Sequence, residues 1–165
     1  MSIVGIYGVH KRFKEKKLKI LVTGSAGFIC GYTIEELLNN GHEIVGIDNY
    51  SKYGKIKKSY DNHPHYTFVE DDVKNTSLIK ELIADCDQVL AGAAMVGGIS
   101  YFHKNAYDLL AENERIMAST FEAAIWAYQH KKLQKINVLS SSMVYESATK
   151  WPSKEGDERL MPPPN

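Results

Sequence analysis

Residues Leu18 to Asp48 read LKILVTGSAGFICGYTIEELLNNGHEIVGID, and this stretch decides the fold. Leu18, Ile20, Leu21 and Val22 form a short apolar run of the kind found in a strand buried on both faces. Thr23-Gly24-Ser25-Ala26-Gly27 turns the chain. A helix is predicted from about Gly27 to Asn40, with Phe28, Ile29, Tyr32, Ile34, Leu37 and Leu38 as its apolar side. Gly41 stops it at the C′ position. His42 to Ile47 forms a second strand, and Asp48 stands at its carboxyl end.

This order suits phosphate binding. Gly24 permits a tight turn, and Gly27 has no side chain to block an anion approaching the helix N-terminus, where free N–H groups and the helix dipole favour negative charge. Asp48 falls 24 residues after Gly24, near the spacing at which an acid bonds both ribose hydroxyls of an adenosine. A carboxylate there repels a 2′-phosphate and so favours NAD over NADP. Glycines placed between a buried strand and an amphipathic helix, with an acid after the next strand, are far more specific than a bare glycine pattern. The plain alternative is an ordinary strand–helix–strand unit with a glycine turn. One position departs from the G-x-x-G-x-x-G spacing: residue 30, the third glycine, is Cys30. That glycine allows close helix–strand packing. Gly31 points about 100° round the helix, so looser packing or weaker cofactor affinity is expected.

At 165 residues, with 44% apolar and 24% charged side chains, the chain has the balance of one globular domain. Lys+Arg and Asp+Glu both number 20, and a formal net charge of zero provides no field to gather nucleic acid. Cys30 and Cys86 are the two cysteines, both in apolar surroundings, as expected of buried reduced thiols in a cytoplasmic protein. The six histidines show no metal-ligand spacing, so no metal is expected. No apolar run approaches the roughly 20 residues of a membrane span.

Along the chain, Met1 to Lys17 reads as an extension, apolar and then strongly basic. It is either a loosely docked terminus or an oligomer or partner contact. Asn49 to Lys58 is basic with interleaved tyrosines: a solvated loop, or a lid near the adenosine end of a cofactor. Tyr66–Val69 is a third strand. Asn75 caps a helix over Thr76–Ala84 with Leu78, Leu82 and Ile83 on its buried side. Asp87–Gly92 is a fourth strand, followed by small residues, Ala93-Ala94-Met95-Val96-Gly97-Gly98, that let a flat ligand approach. Asn105–Gln129 is a helix carried by Leu109, Leu110, Ile116, Phe121, Ala124, Ile125 and Tyr128. Lys135–Leu139 is a fifth strand, and the last 20 residues, rich in proline, read as loop. Strands alternating with helices give an α/β fold, a doubly wound parallel sheet of Rossmann type. The strand order 3-2-1-4-5 brings the ends of strands one and four together as a dinucleotide switch point.

From Leu18 to Asn165 the chain resembles the extended short-chain dehydrogenase/reductases, the NAD(P)-dependent nucleotide-sugar epimerases and dehydratases. The resemblance rests on TGSAGFI at 23–29, Asp48, Asp72-Val73, Ala93-Ala94, Asn113 and SSSMVY at 140–145. It implies that Gly24, Ala26, Gly27, Phe28 and Ile29 line the pyrophosphate turn of NAD. Asp48 and Asn49 would then lie at the adenosine ribose, Asp72 and Val73 at the adenine, and Ala93, Ala94 and Ser140 toward the nicotinamide end. Ser141 matches the family's catalytic Ser/Thr, whose hydroxyl bonds the sugar's 4-oxygen. Read without the resemblance, Ser141 is a strand-end serine capping a turn.

AAMVGGI at 93–99 is similar to the branch holding GDP-fucose synthase and GDP-mannose 3,5-epimerase, which place a cysteine before the Val/Ile-Tyr pair. Here that residue is Met143, which accepts no proton. The dehydratases carry acids in the two positions after the catalytic Ser/Thr, where this chain has Ser142 and Met143. By elimination the resemblance implies 4-epimerisation of a nucleotide sugar, with dehydratase or 3,5-epimerase relatives as the alternative. The family's Tyr-x-x-x-Lys is expected just after the proline-rich loop, and Tyr145 has Thr149 rather than lysine at its fourth position. The expected organisation is therefore a truncated one. Residues 1–17 are the extension, 18–145 the NAD-binding domain, and 146–165 the start of the loop leading to a missing catalytic and substrate-binding part. Such a chain is expected to lack turnover alone as the NAD-binding part of an epimerase; the alternative is a stand-alone NAD-binding module without catalysis. The family's habit of dimerising through a helix pair makes the Asn105–Gln129 helix a candidate half of a homodimer contact.

Overall fold

The computed structural model describes residues 16–145 and 148–157. The reading of the N-terminal extension therefore falls largely outside the described residues, as does that of the final eight. Five strands and four helices follow in the order β1 (Lys19–Thr23), α1 (Phe28–Asn39), β2 (Glu43–Asp48), β3 (Tyr66–Glu70), α2 (Thr76–Ile83), β4 (Gln88–Ala91), α3 (Ile99–Lys104), α4 (Ala106–His130) and β5 (Lys135–Val138), before a 3-10 turn at Ser142–Tyr145. The strands form one sheet in the order β3-β2-β1-β4-β5, parallel throughout. This is the doubly wound order expected from the sequence. Each of the five strands and three longer helices lies within one residue of its predicted bounds.

The central strands bury alternate residues on opposite faces, as the period of two dictates. Leu21, Val45, Ile47 and Val89 meet Ile79 and Ile83 of α2 and Ala123, Ala124 and Ala127 of α4. Ile20, Val22 and Ile44 face the other way, onto Cys30, Ile34 and Leu38 of α1 and the ring of Tyr60. Each of the large aliphatic side chains contributes roughly 1.5–3 kcal/mol by leaving water. The caps match the sequence: Asn75 Oδ1 accepts from the Leu78 amide at 3.3 Å, and Gly41 takes φ +83° just past α1.

Three expectations need correction. Phe28, Ile29 and Tyr32 lie on α1 but not on its buried side; they are 66%, 61% and 66% exposed. The face that packs is Cys30, Gly31, Ile34 and Leu38. On α4, Leu110, Ile125 and Tyr128 are exposed, while Ser119, Thr120, Ala123, Ala124 and Ala127 are buried with Leu109. Ser119 shows the reason: its hydroxyl donates to the Val73 carbonyl at 2.7 Å and accepts from Thr76 Oγ1 at 3.1 Å, which holds α4 close against the start of α2. The packing is not looser at Cys30 either. Its thiol is buried against Gly92, where a Cβ would lie only 2.3 Å from the sulfur, so a glycine at the end of β4 makes the room that a glycine in α1 would have made. The short helix α3 and the 3-10 turn were not foreseen.

Candidate functional site

The carboxyl ends of β1 and β4 separate around one side chain. Thr23 Oγ1 accepts hydrogen bonds from the amides of Gly92 and Ala93, both at 3.1 Å. This crevice lies between neighbouring strands whose connections leave in opposite directions, the switch point of a doubly wound sheet. Gly24 forms its floor with φ +71°. A Cβ there would lie 2.8 Å from the Ala93 backbone, so both the dihedral and the space demand glycine. The Gly24 and Ser25 amides donate to the Ile47 carbonyl at 2.9 and 3.2 Å, tying the turn to β2.

α1 leaves this turn without a cap. Gly27 offers no side-chain bond, the first turn holds no acid, and the Gly31 amide donates to Gly27 O at 3.0 Å as the helix begins. The amides of Phe28, Ile29 and Cys30 precede that bond and lack a carbonyl one turn back within the helix. They form an anion-accepting surface. Burial pushes the Cys30 thiol up to about 11, with the charge of Asp48 adding to the effect, so it is neutral beside this turn.

Asp48 stands on the β2 side of the crevice. Its Oδ2 accepts from the Ala26 amide at 3.1 Å and its Oδ1 from the Tyr50 amide at 2.7 Å. Each oxygen keeps a lone pair for a further donor. Tyr50 takes φ +57°, and its ring rests on Phe68 at 5.1 Å. Asn49 Nδ2 donates to Asp72 Oδ2 at 3.1 Å, which brings the loop after β2 to the loop after β3. Lys74 sits between Asp72, at 3.5 Å, and Glu112 of α4. Val73, next in sequence, is buried under α4.

On the β4 side, Ala93 is half-buried and Ala94 exposed. Asn113 of α4 holds the loop after them with both ends of its amide. Its Nδ2 donates to Met95 O at 2.9 Å, and its Oδ1 accepts from Met95 N at 2.8 Å. The Leu139 amide donates to Ala91 O at 3.1 Å, which carries Ser140 and Ser141 to the same end of the sheet. Ser141 is exposed, and its Oγ accepts from the Met143 amide at 3.2 Å, opening the 3-10 turn. The carboxyl ends of the strands thus carry Gly24, Asp48, Asn49, Asp72, Ala93, Ala94, Ser140 and Ser141, whereas Phe28 and Ile29 open α1 and Val73 is buried under α4.

Two residues that support the turn were missed. Tyr60 OH donates to the Ser25 carbonyl at 3.5 Å, and Tyr66 meets the Tyr60 ring edge-on at 5.0 Å. A Cβ at Gly46 would lie 2.6 Å from Tyr66 Oη and 2.8 Å from Ser25 Oγ, so glycine in mid-strand admits both hydroxyls beneath the turn. Burial pushes Tyr66 up to about 12 and Tyr60 further in the same direction, so both are neutral supports. The available signal was Gly46, a glycine inside a strand, which marks close approach.

A family model described as the NAD dependent epimerase/dehydratase family matches residues 20–165. A UDP-N-acetyl-alpha-D-glucosaminuronate decarboxylase of Bacillus cytotoxicus is 30% identical over 144 residues, covering 87% of this chain and 42% of that protein. Among solved structures, the Bordetella bronchiseptica enzyme WbmH in complex with NAD+ is 26% identical with a TM-score of 0.63, covering 79% of this chain and 41% of that one. A UDP-glucose 4-epimerase from Bifidobacterium longum in complex with NAD+ and UDP is 25% identical with a TM-score of 0.69, covering 84% and 41%. The chain therefore spans less than half the length of these relatives.

Proposed function

The chain belongs to the NAD dependent epimerase/dehydratase family, and from that premise we propose that it binds NAD in the crevice at the carboxyl ends of β1 and β4, as the cofactor-holding domain, residues 18–145, of a nucleotide-sugar 4-epimerase. The observation that carries this reading is the uncapped N-terminus of α1, with its glycine turn and the Asp48 carboxylate beside it. The residues present fit the cofactor. The amides of Phe28, Ile29 and Cys30 receive the diphosphate over Gly24, Ala26 and Gly27. Asp48 gives its remaining lone pairs to the adenosine ribose, with Asn49 alongside. Asp72 and Val73 border the adenine. Ala93, Ala94 and Ser140 border the nicotinamide ribose, and Asn113 holds that wall in place.

Bound NAD supplies a hydride acceptor for the sugar. Ser141 keeps one Oγ lone pair after receiving the Met143 amide, enough to accept the sugar's 4-hydroxyl. Neither Met143 nor Ser142 provides a base or an acid for carbon deprotonation or water loss, which favours 4-epimerisation over the alternatives. Turnover in this reading also requires the family's Tyr-x-x-x-Lys pair, which the resemblance places after the proline-rich loop. A second copy of the chain is the proposed cover for Leu110, Ile125 and Tyr128 of α4.

The test is calorimetric titration of this chain with NAD and NADP, beside Asp48→Ala. Wild type is expected to bind NAD in preference to NADP. The variant should lose at least about tenfold in NAD affinity, the value of one hydrogen bond to a charged acceptor. A wild-type chain that ignores NAD, or an Asp48→Ala chain that binds it equally well, refutes the reading.

A further inference from the structure

Lys52 lies in the loop after β2, and its Nζ donates to the Val96 carbonyl at 2.7 Å in the loop after β4. Those two strands are not neighbours. β1 runs between them, so they stand about 10 Å apart at the usual strand spacing. A bond from one loop to the other therefore crosses the end of β1, where the glycine turn feeds α1. The lysine straps the mouth of the crevice.

The charges there are unbalanced for a doubly charged ligand. Asp48, at the end of β2, brings a carboxylate against the same turn, which opposes a diphosphate even as it welcomes a ribose. The amides of α1 offer partial charges only. Of the nearby loop lysines, Lys55 is held 2.7 Å from Glu70 and lies over the Tyr50 ring. Lys52 differs, because its acceptor is a neutral carbonyl. An ammonium gains more from a phosphate oxygen than from a peptide carbonyl. It also has three donors, so it can reach a phosphate while keeping Val96.

We propose that Lys52 is the counter-ion of the cofactor diphosphate, closing over it from the loop after β2 to the loop after β4. The inference rests on the cofactor reading above. It assigns the basic, tyrosine-bearing loop a binding role and makes Lys52 a determinant of diphosphate-containing ligands.

The experiment compares wild type, Lys52→Met and Lys52→Arg as full 165-residue chains, titrated with ADP-ribose by calorimetry and with adenosine by NMR. Lys52→Met should bind ADP-ribose about tenfold more weakly, the loss of one charge-assisted bond, and adenosine unchanged. Lys52→Arg should stay close to wild type. Raising salt should weaken ADP-ribose binding more steeply in wild type than in Lys52→Met. Equal losses for adenosine and ADP-ribose, or a fall in melting temperature that accounts for the loss, would make Lys52 a structural strap and overturn the proposal. Unchanged ADP-ribose affinity in Lys52→Met overturns it while leaving the cofactor reading intact. A wild-type chain that binds no ADP-ribose removes both.

Discussion

Gly92→Ala probes the packing that replaces the third glycine of the turn motif. The added Cβ would stand 2.3 Å from Cys30 Sγ, 3.1 Å from the Thr23 carbonyl oxygen and 3.2 Å from Leu139 Cδ1. The leucine tip can yield. The Thr23 carbonyl belongs to the central strand, and the Cys30 sulfur is wedged between α1 and that strand, 3.6 Å from the same oxygen. Overpacking at such a point costs about 2 kcal/mol, or about 4–8 °C in melting temperature for a chain of this size. Cys30→Ala alone gives up one buried sulfur, worth about 1 kcal/mol, and recovers about half of it through better helix propensity. With the sulfur gone, the nearest remaining contact of the Gly92→Ala methyl is at 3.1 Å, a distance that a shift of a few tenths of an ångström relieves. The double variant should therefore be at least about 1 kcal/mol more stable than the sum of the single losses predicts. Urea denaturation of the four chains, followed by far-UV circular dichroism, measures this coupling. Losses that add within about 0.5 kcal/mol would show that Cys30 and Gly92 do not share the space, and the account of how the chain tolerates a cysteine at residue 30 would fail.

Asn113→Ala removes both hydrogen bonds that hold Met95 and should cost about 1–2 kcal/mol; hydrogen exchange at the Met95 amide is expected to quicken at least about tenfold, and unchanged exchange would deny the clamp. The Asp87 carboxyl is held below its ordinary value, first by the Lys19 amide at 2.8 Å and then by the charge of Lys132. A depressed folded pKa gives stability that is full above the unfolded value and lost as pH falls through the folded one. Asp87→Asn should thus be about 1 kcal/mol less stable near neutrality, with the gap closing as pH drops below about 4; a gap independent of pH in acid titration would refute it. Burial pushes the thiols of Cys30 and Cys86 up to about 11 and 12. Labelling by a thiol reagent at pH 8 should be more than about a hundredfold slower in the folded chain than in urea, and fast native labelling of either would contradict their placement.

The strands were legible because a buried parallel strand needs little more than a short run of β-branched and aliphatic residues, and because alternation with helices leaves few topologies. Asp48 was legible for a related reason. The length of one strand, one turn and one helix fixes how many residues separate a glycine turn from the end of the next strand, so spacing carries spatial information. Nothing comparable announced Asn113 as the clamp on Met95, or Lys52 as the strap to Val96. Those contacts span 18 and 44 residues, through loops whose paths follow from backbone geometry rather than periodicity. The six residues of α3, next to Gly97 and Gly98, are too few to show a helical period at all.

The misread helix faces share one physical cause. Periodicity finds large apolar side chains, whereas the closest approach of two elements selects small ones. α1 meets β1 through Cys30 and the segment after β2 through Gly31, where a Cβ would already touch Tyr60 Oη at 3.4 Å. α4 meets α2 through Ser119, and the sheet through Ala123 and Ala127, at a spacing of four residues. At these contacts a phenylalanine or tyrosine would force the elements apart, so Phe28, Tyr32 and Tyr128 are displaced to the opposite faces and stand exposed. The usable signal in the sequence was therefore the run of small residues at helical spacing, Ser119-x-x-x-Ala123-x-x-x-Ala127, rather than the aromatic residues beside it. The same reasoning explains why Cys30 is tolerated. The requirement at the turn is for one small residue between α1 and the end of β4, and Gly92 meets it from the strand side.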